Sequence, residues 1–343
     1  MVLKTWFKNA RSVSLMQSGM PALLAVVMAA DQSGFGLWQA LLAVVGVMSA
    51  HLGMNLADDY FDYKADMHSD RDRVIRKGFR AMSVKYPYLI DGSVTPDGLL
   101  RAILSFGGIA VACGGVVFIS RSLSGGFVGP NGSWWILAIA TIACLLGWFY
   151  SAPPLKLAYR GLGEIVIGVI FGPLLMTGVY YSACGMVSVD VVMVSIPVGL
   201  LVLNILFTHS FIERESDAAS NKMTLARLLG SNTANMAAAY LINFLPYLIV
   251  VVSVLLGDMS VWYLLVLVMV PNSVWLCRSL SAFNRGETGV PQKPQWWLGP
   301  MGNWDQVRAR GIDWFLMRWL AARNILSGFC AIVFVVRLVL LFF

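Results

Sequence analysis

The hydrophobic pattern of the chain consists of long apolar runs separated by shorter polar segments. A run of about 20 apolar residues is long enough to cross a bilayer as a helix. The alternation of apolar and polar residues that barrel strands require is missing. The pattern therefore predicts an all-α, multi-pass bundle of about nine transmembrane helices. The predicted spans are 14–30, 36–56, 98–119, 134–151, 162–182, 191–211, 233–256, 260–282 and 320–343.

The composition supports a membrane protein. Of the 343 residues, 58% are hydrophobic and 13% are charged, and the mean hydropathy is +0.72. Soluble domains carry about 25% charged residues. These values exclude a soluble globular enzyme, a disordered chain and a DNA-binding domain. The five cysteines lack the spacing of metal ligands. We expect one integral membrane domain that covers residues 1–343.

The basic residues predict the orientation of the bundle. The net charge is +7, and nearly all Lys and Arg fall in the N-terminal segment and in the loops after the second, fourth, sixth and eighth spans. The opposite loops hold Arg121 alone, and Arg337 lies near the far end of the last span. Cytoplasmic loops are enriched in basic residues. We therefore expect the N-terminus and these loops to face the cytoplasm and an anionic lipid surface, with no nucleic-acid partner.

Eleven of the 18 acidic residues are concentrated in two segments, 58–97 and 213–217, that each follow a predicted span. In the first segment, residues three or four apart share one face of a helix. This face carries Asn55, Asp59, Asp62 and Asp66, with Asp58 at its edge. Ionisable residues at a membrane boundary indicate a functional site.

Oxygen ligands of this kind suit Mg²⁺, which is held by a few carboxylates together with substrate phosphates. Mn²⁺ and Ca²⁺ remain alternatives on ligand type alone. Basic residues of the same loop, among them Lys77 and Arg80, are candidates for binding the phosphates. The competing interpretation is a solvated acidic helix end that these basic residues neutralise.

The second acidic segment repeats the arrangement. Glu213 and Asp217 are four residues apart, His209 lies four before Glu213, and Lys222 follows. Two acidic faces on one side of the membrane predict two metal positions around one polyanion, whose developing charge the metals would neutralise. His209 is either an internally satisfied polar residue or a site residue that orients a ligand or accepts a proton.

A third segment, 150–164, contains two consecutive prolines that interrupt the helix. Lys156 and Arg160 then fall in a short cytoplasmic loop, either as an orientation signal or as contacts to a diphosphate or an acidic substrate. Glu164 is an acid in the first turn of the next span.

A further cytoplasmic loop, 283–319, is rich in Trp and Arg. Such a segment commonly lies in the lipid headgroup layer. The alternative is a lid over a site on the same membrane face.

Three short motifs resemble the UbiA superfamily of intramembrane prenyltransferases. Asp-Asp-Tyr-Phe-Asp-Tyr at 58–63 is similar to the Asn-Asp-Tyr-Phe-Asp of the menaquinone-pathway branch, the 1,4-dihydroxy-2-naphthoate prenyltransferases. Asp-Gly-Ser-Val-Thr-Pro at 91–96 is similar to the Ser-Gly-x-Ile-Ser-Pro of that branch. Tyr-Arg-Gly-Leu-Gly-Glu at 159–164, followed by Phe-Gly-Pro at 171–173, is similar to its fourth-loop pattern.

The resemblance implies a nine-helix bundle in the bacterial cytoplasmic membrane, with Mg²⁺ as cofactor. The reaction it implies is ionisation of an allylic prenyl diphosphate and capture of the cation by an aromatic quinone precursor. Cation–π contact from aromatic residues such as Tyr150 would stabilise the cation. Lys222 would bind the diphosphate. The implied metal and catalytic residues are Asn55, Asp59, Asp62, Asp66, Glu213 and Asp217.

Three residues depart from the pattern of the branch, because Asp58 and His209 stand where Asn is usual and Glu213 replaces Asp. A changed second motif is also compatible with a terpene cyclase of the same superfamily, which would need no acceptor. A transporter or cation channel is the third alternative. The acids cluster at span ends, however, whereas a pathway through the membrane requires polar residues at midplane depth.

Overall fold

The structure, a computed structural model, describes residues 3–66, 86–129, 131–219, 222–287 and 293–342. Within these ranges, nine helical segments are long and apolar enough to cross a membrane, which confirms the predicted bundle. The helices are α1 Leu3–Asn9, α2 Met16–Ala29, α3 Leu37–Asp66, α4 Pro87–Ile90, α5 Pro96–Gly125, α6 Trp134–Ser151, α7 Gly163–Val169, α8 Leu175–Cys184, α9 Val189–Ile212, α10 Arg214–Ala219, α11 Leu225–Leu229, α12 Asn232–Leu255, α13 Val270–Asn284, α14 Trp304–Ala309 and α15 Asp313–Leu340.

Helix α9 is the central helix of the bundle. Most of its side chains are buried, and it packs against α7, α12 and α15. A π-helical turn, Ile170–Leu174, joins α7 to α8 and crosses α9 at Gly172 and Gly199. A Cβ atom on Gly172 would lie 2.4 Å from the Cα of Gly199. Small residues at a crossing permit this close backbone approach between membrane helices, and it fixes the middle of α9 against the turn that follows α7.

Three helix boundaries differ from the predicted spans by six residues or more, and one of them is the end of α5 at Gly125 instead of residue 119. Helix α3 continues past residue 56 to Asp66, so residues 58–66 of the first acidic segment are helical, as their spacing predicted. Helix α15 begins at Asp313 rather than near 320. Its first turns bury Arg318, which donates through Nε to the Ser279 carbonyl at 3.1 Å. Because these first turns contain polar residues, the hydropathy pattern does not show that the helix begins there.

Arg337 and Arg121, the two arginines on the opposite side of the bundle from the basic loops, bind carboxylates and main-chain carbonyls of the protein. Arg337 of α15 forms ion pairs with Asp31 at 2.9 Å and Asp190 at 3.5 Å, and it donates to the Met28 carbonyl at 3.0 Å. Arg121 donates to three main-chain carbonyls around the end of α8 and the loop after α2. The last span is thereby joined to the first span and to the start of α9.

Candidate active site

Asp59 lies in the last turns of α3 and is fully buried. The Tyr88 hydroxyl donates a hydrogen bond to its Oδ2 at 2.7 Å. The Arg11 Nη2 lies 3.2 Å from Asp59 Oδ1 and 3.2 Å from Asp58 Oδ2. Burial, together with the charge of Asp59, raises the pKa of Tyr88 far above its ordinary value, so this hydroxyl remains a donor.

Arg11 is a site residue that sequence reasoning missed, because its charge was interpreted only as an orientation signal. Its Nη2 also donates to the Asn55 carbonyl at 2.9 Å. Burial acts to lower the pKa of Arg11, but the charges of Asp59 and Asp58 outweigh it and raise the pKa above its ordinary value. The residue adopts the left-handed conformation, with φ of 56°. A non-glycine residue in this region stores backbone strain, which clusters at functional sites.

The polar face of α3 extends one turn deeper than predicted. The Asn55 amide donates to the Ala10 carbonyl and to Ser14 Oγ, each at 3.0 Å. His51, four residues earlier and buried, pairs through Nδ1 with Ser18 Oγ at 2.7 Å. The segment before and within α2 therefore covers this face of α3. A lone histidine inside an apolar run gave no signal of this contact.

Segment 151–164 contacts the first acidic stretch at two carboxylates. The Ser151 hydroxyl donates to Asp58 Oδ1 at 2.6 Å. The Tyr159 hydroxyl donates to Asp62, which is 2% exposed. Each donor stabilises the ionised carboxylate. The end of α6 and the following loop therefore hold α3 in place.

The same segment contacts the chain that follows the second acidic stretch. Residues Arg160 and Met223 form an isolated parallel bridge, and the Gly161 N–H donates to the Met223 carbonyl at 2.8 Å. Both oxygens of the buried Glu164 lie near the Leu225 N–H, at 3.2 and 3.3 Å. Segment 151–164 thus contacts both the first acidic stretch and the chain that follows the second one.

The second acidic stretch begins where α9 ends. Glu213 is 5% exposed, and its Oε2 lies 2.9 Å from His209 Nε2. The ring of His209 meets Phe315 edge-on. Asp217 is 3% exposed in the first turn of α10, and its carbonyl accepts from the Lys222 N–H at 2.9 Å. Two of the predicted metal ligands are therefore buried carboxylates, and His209 is paired with one of them.

The remaining predicted residues have varied surroundings. Lys156 is exposed, and Arg160 is exposed and donates to the Pro154 carbonyl at 3.1 Å. Tyr150 packs its ring against Gly163. The side chain of Asp66 and both Lys77 and Arg80 lie outside the described residues. These site assignments stay predictions.

The donor set fits a hard divalent cation. Four of the predicted metal ligands are buried carboxylates near the ends of α3 and α9: Asp59, Asp62, Glu213 and Asp217. Within the described ranges, no group of three or more His, Cys, Asp or Glu side chains is arranged to hold a metal alone. Mg²⁺ is usually bound by one or two carboxylates plus substrate phosphates and water, so it needs no closed protein cage.

Comparisons with known proteins identify the family of the chain. The UbiA prenyltransferase family matches residues 18–298. The chain is 25% identical over 266 residues to a 1,4-dihydroxy-2-naphthoate octaprenyltransferase of Bacillus subtilis, which covers 77% of this chain and 78% of that protein. It is 33% identical over 155 residues to a 2-carboxy-1,4-naphthoquinone phytyltransferase of Synechocystis, 44% of this chain and 49% of that protein.

A solved structure supports the fold. A UbiA homologue from Archaeoglobus fulgidus, determined with bound GPP and Mg²⁺, superposes with a TM-score of 0.55 at 12% identity. The superposition covers 96% of this chain and 99% of that chain. With the family match over most of the chain, the chain belongs to the UbiA prenyltransferase family and is a multi-pass membrane prenyltransferase.

Proposed function

We propose that the enzyme transfers a polyprenyl group from an allylic prenyl diphosphate to an aromatic quinone precursor. This proposal rests on two sets of buried carboxylates, one at the end of α3 and one after α9. Segment 151–164 contacts the first set and the chain that follows the second. Relatives named for naphthoate substrates support an aromatic acceptor of that class. The buried acids at span ends support a polyanion that approaches from the membrane boundary.

Each set of residues has a role in this reaction. Asp59 and Asp62 on α3, together with Glu213 and Asp217 after α9, would hold Mg²⁺, with Asn55 and Asp66 completing the first set. The bound Mg²⁺ would neutralise charge that develops on the diphosphate. Lys222, Lys156 and Arg160 would bind phosphate oxygens.

The bond changes follow from the allylic substrate. The C–O bond to the diphosphate breaks, and its electron pair leaves with the diphosphate. The allylic cation that remains is attacked by an electron-rich ring carbon, which forms the new C–C bond. In the simplest case, the ring regains aromaticity when the attacked carbon loses its proton. The apolar interior of the bundle would exclude water, and Tyr150 would face the cation with its ring.

Product analysis tests the proposal directly. Purified protein with Mg²⁺ and a panel of prenyl diphosphates should give a prenylated aromatic product only when 1,4-dihydroxy-2-naphthoate is added. Mass spectrometry identifies the product, and a diphosphate-release assay run in parallel gives its stoichiometry. EDTA should abolish both signals, and added Mg²⁺ should restore them.

The acceptor-free reaction separates the alternatives. A terpene hydrocarbon or alcohol formed without acceptor would replace the transferase by a membrane cyclase. Solute flux in proteoliposomes without any diphosphate release would contradict both enzyme proposals.

We further propose that the site and the N-terminus face the cytoplasm of a bacterial cytoplasmic membrane, and that residues 1–343 form one domain. The charge bias of the loops supports this orientation. With nine spans and a cytoplasmic N-terminus, a reporter fused after Phe343 should lie on the outer side of the membrane. A cytoplasmic signal from that fusion would contradict the orientation. The tryptophans and arginines of 283–319 would lie at the headgroup layer on the inner side.

A further inference from the structure

Glu164 is a buried acid with no role in the proposed chemistry. It lies in the first turn of α7 and is 4% exposed. Burying a carboxylate costs free energy unless hydrogen bonds compensate it. Both carboxylate oxygens converge on one main-chain N–H, that of Leu225, and the Ser210 side chain is a further hydrogen-bond partner.

The contact satisfies the first main-chain donor of a helix that has no side-chain cap. Leu225 is the first residue of α11, and the preceding Thr224 makes no side-chain capping bond. The buried Thr224 hydroxyl has no hydrogen-bond partner. A Thr at this position ordinarily accepts from the first turn of its own helix. Here Glu164 supplies the acceptor from a different span.

The segment fixed in this way carries Lys222. The Arg227 guanidinium returns to the Lys222 carbonyl at 2.7 Å and to the Asp217 carbonyl at 3.3 Å. The Lys222 N–H donates to the Asp217 carbonyl at 2.9 Å. These contacts hold Asp217, Lys222 and Arg227 together, and Glu164 anchors this group to α7 through Leu225.

We propose that Glu164 is a positioning residue that holds Lys222 beside the second acidic stretch, where Lys222 binds the diphosphate of the substrate. This inference rests on the proposed function for the identity of that anion. Without the anchor, the chain around Lys222 loses its fixed position relative to α7, whereas Asp217 stays on α10 through the bond from its N–H to the Glu213 carbonyl at 2.9 Å. Diphosphate binding weakens, whereas the carboxylates that activate the leaving group remain.

The effect should appear in KM rather than kcat. A contact made equally in the ground state and the transition state changes KM alone. Glu164→Ala should raise the KM for prenyl diphosphate by about 10-fold and change kcat by less than about threefold. Glu164→Gln, which keeps a neutral acceptor for the Leu225 N–H, should recover most of this loss. Glu215→Gln is the matched control, because Glu215 is exposed in the same loop, and it should change neither constant.

A double mutant tests whether Glu164 acts through Lys222. Lys222→Ala should raise KM as Glu164→Ala does, and the double variant should be no worse than Lys222→Ala alone. Losses that multiply in the double variant would overturn the inference. If Glu164→Ala does not fold, Leu225→Pro removes the same hydrogen bond from the other side, at a helix position that accepts proline.

Two measurements that need no turnover keep this inference distinct from the proposed function. Hydrogen exchange at 222–229 should be faster in Glu164→Ala, and Mg²⁺ with inorganic pyrophosphate should bind about 10-fold more weakly. Unchanged exchange, or faster exchange with unchanged pyrophosphate affinity, would overturn the positioning role. Wild-type protein that binds pyrophosphate but transfers no prenyl group would instead count against the proposed function alone.

Discussion

Asp59→Asn should lower kcat by about 10³-fold in a protein that still folds. Asparagine has nearly the shape of aspartate, and its carbonyl still accepts from Tyr88, which bonds Asp59 at 2.7 Å. The Arg11 guanidinium keeps Asp58 as a partner at 3.2 Å. What is lost is one negative oxygen for a divalent cation. A loss of about 4 kcal/mol of transition-state stabilisation corresponds to about 10³-fold in rate.

The neighbouring carboxylate provides the control for Asp59→Asn. Asp58→Asn removes the same charge one residue away, and Asn is the residue usual there in the family branch that the sequence resembles. We expect its loss of kcat to stay within about 10-fold. Steady-state kinetics of both variants, together with their melting temperatures in detergent with and without Mg²⁺, make the comparison. Equal losses in the two variants would show that net charge, rather than the position of Asp59, matters.

The bundle and one face of the site follow from local sequence patterns. Apolar runs near 20 residues define the spans, since a bilayer-crossing helix must bury its side chains in lipid or in other helices. The spacing of Asp59 and Asp62 predicts a shared helical face, and α3 does continue through both residues. A hydropathy pattern nevertheless ends this span too early, because polar side chains change the hydropathy but leave the backbone hydrogen bonds intact.

Contacts between distant segments could not be predicted in this way. Arg11 lies 44 residues before Asn55 and is itself in the left-handed conformation, which no sequence pattern at this position predicts. Its charge alone is equally compatible with an exposed orientation signal. Glu164 is 61 residues from Leu225, and its partner is a main-chain N–H that no side-chain pattern reveals. Such contacts depend on how the spans pack, which local sequence patterns do not describe.

Asp217→Asn should match the loss of Asp59→Asn, at about 10³-fold in kcat. Asp217 is 3% exposed at the start of α10. Its main-chain carbonyl accepts hydrogen bonds from Lys222 and Arg227, and these bonds do not depend on the side chain at position 217. The loop should therefore stay in place while one carboxylate oxygen is neutralised. Glu215→Gln, two residues away and exposed, removes the same charge and should retain full activity. Kinetics with Mg²⁺ titrated over a wide range measures both variants.

The double variant Asp59→Asn with Asp217→Asn tests whether the two acidic stretches act together. Residues that act as one unit show strongly non-additive losses. If both stretches hold metal ions on a single diphosphate, either substitution alone disables the site, and the double variant should be little slower than each single one. Losses that multiply to about 10⁶-fold would mean that the stretches act independently. That outcome would contradict a single site joined by segment 151–164, even if each residue alone proved essential.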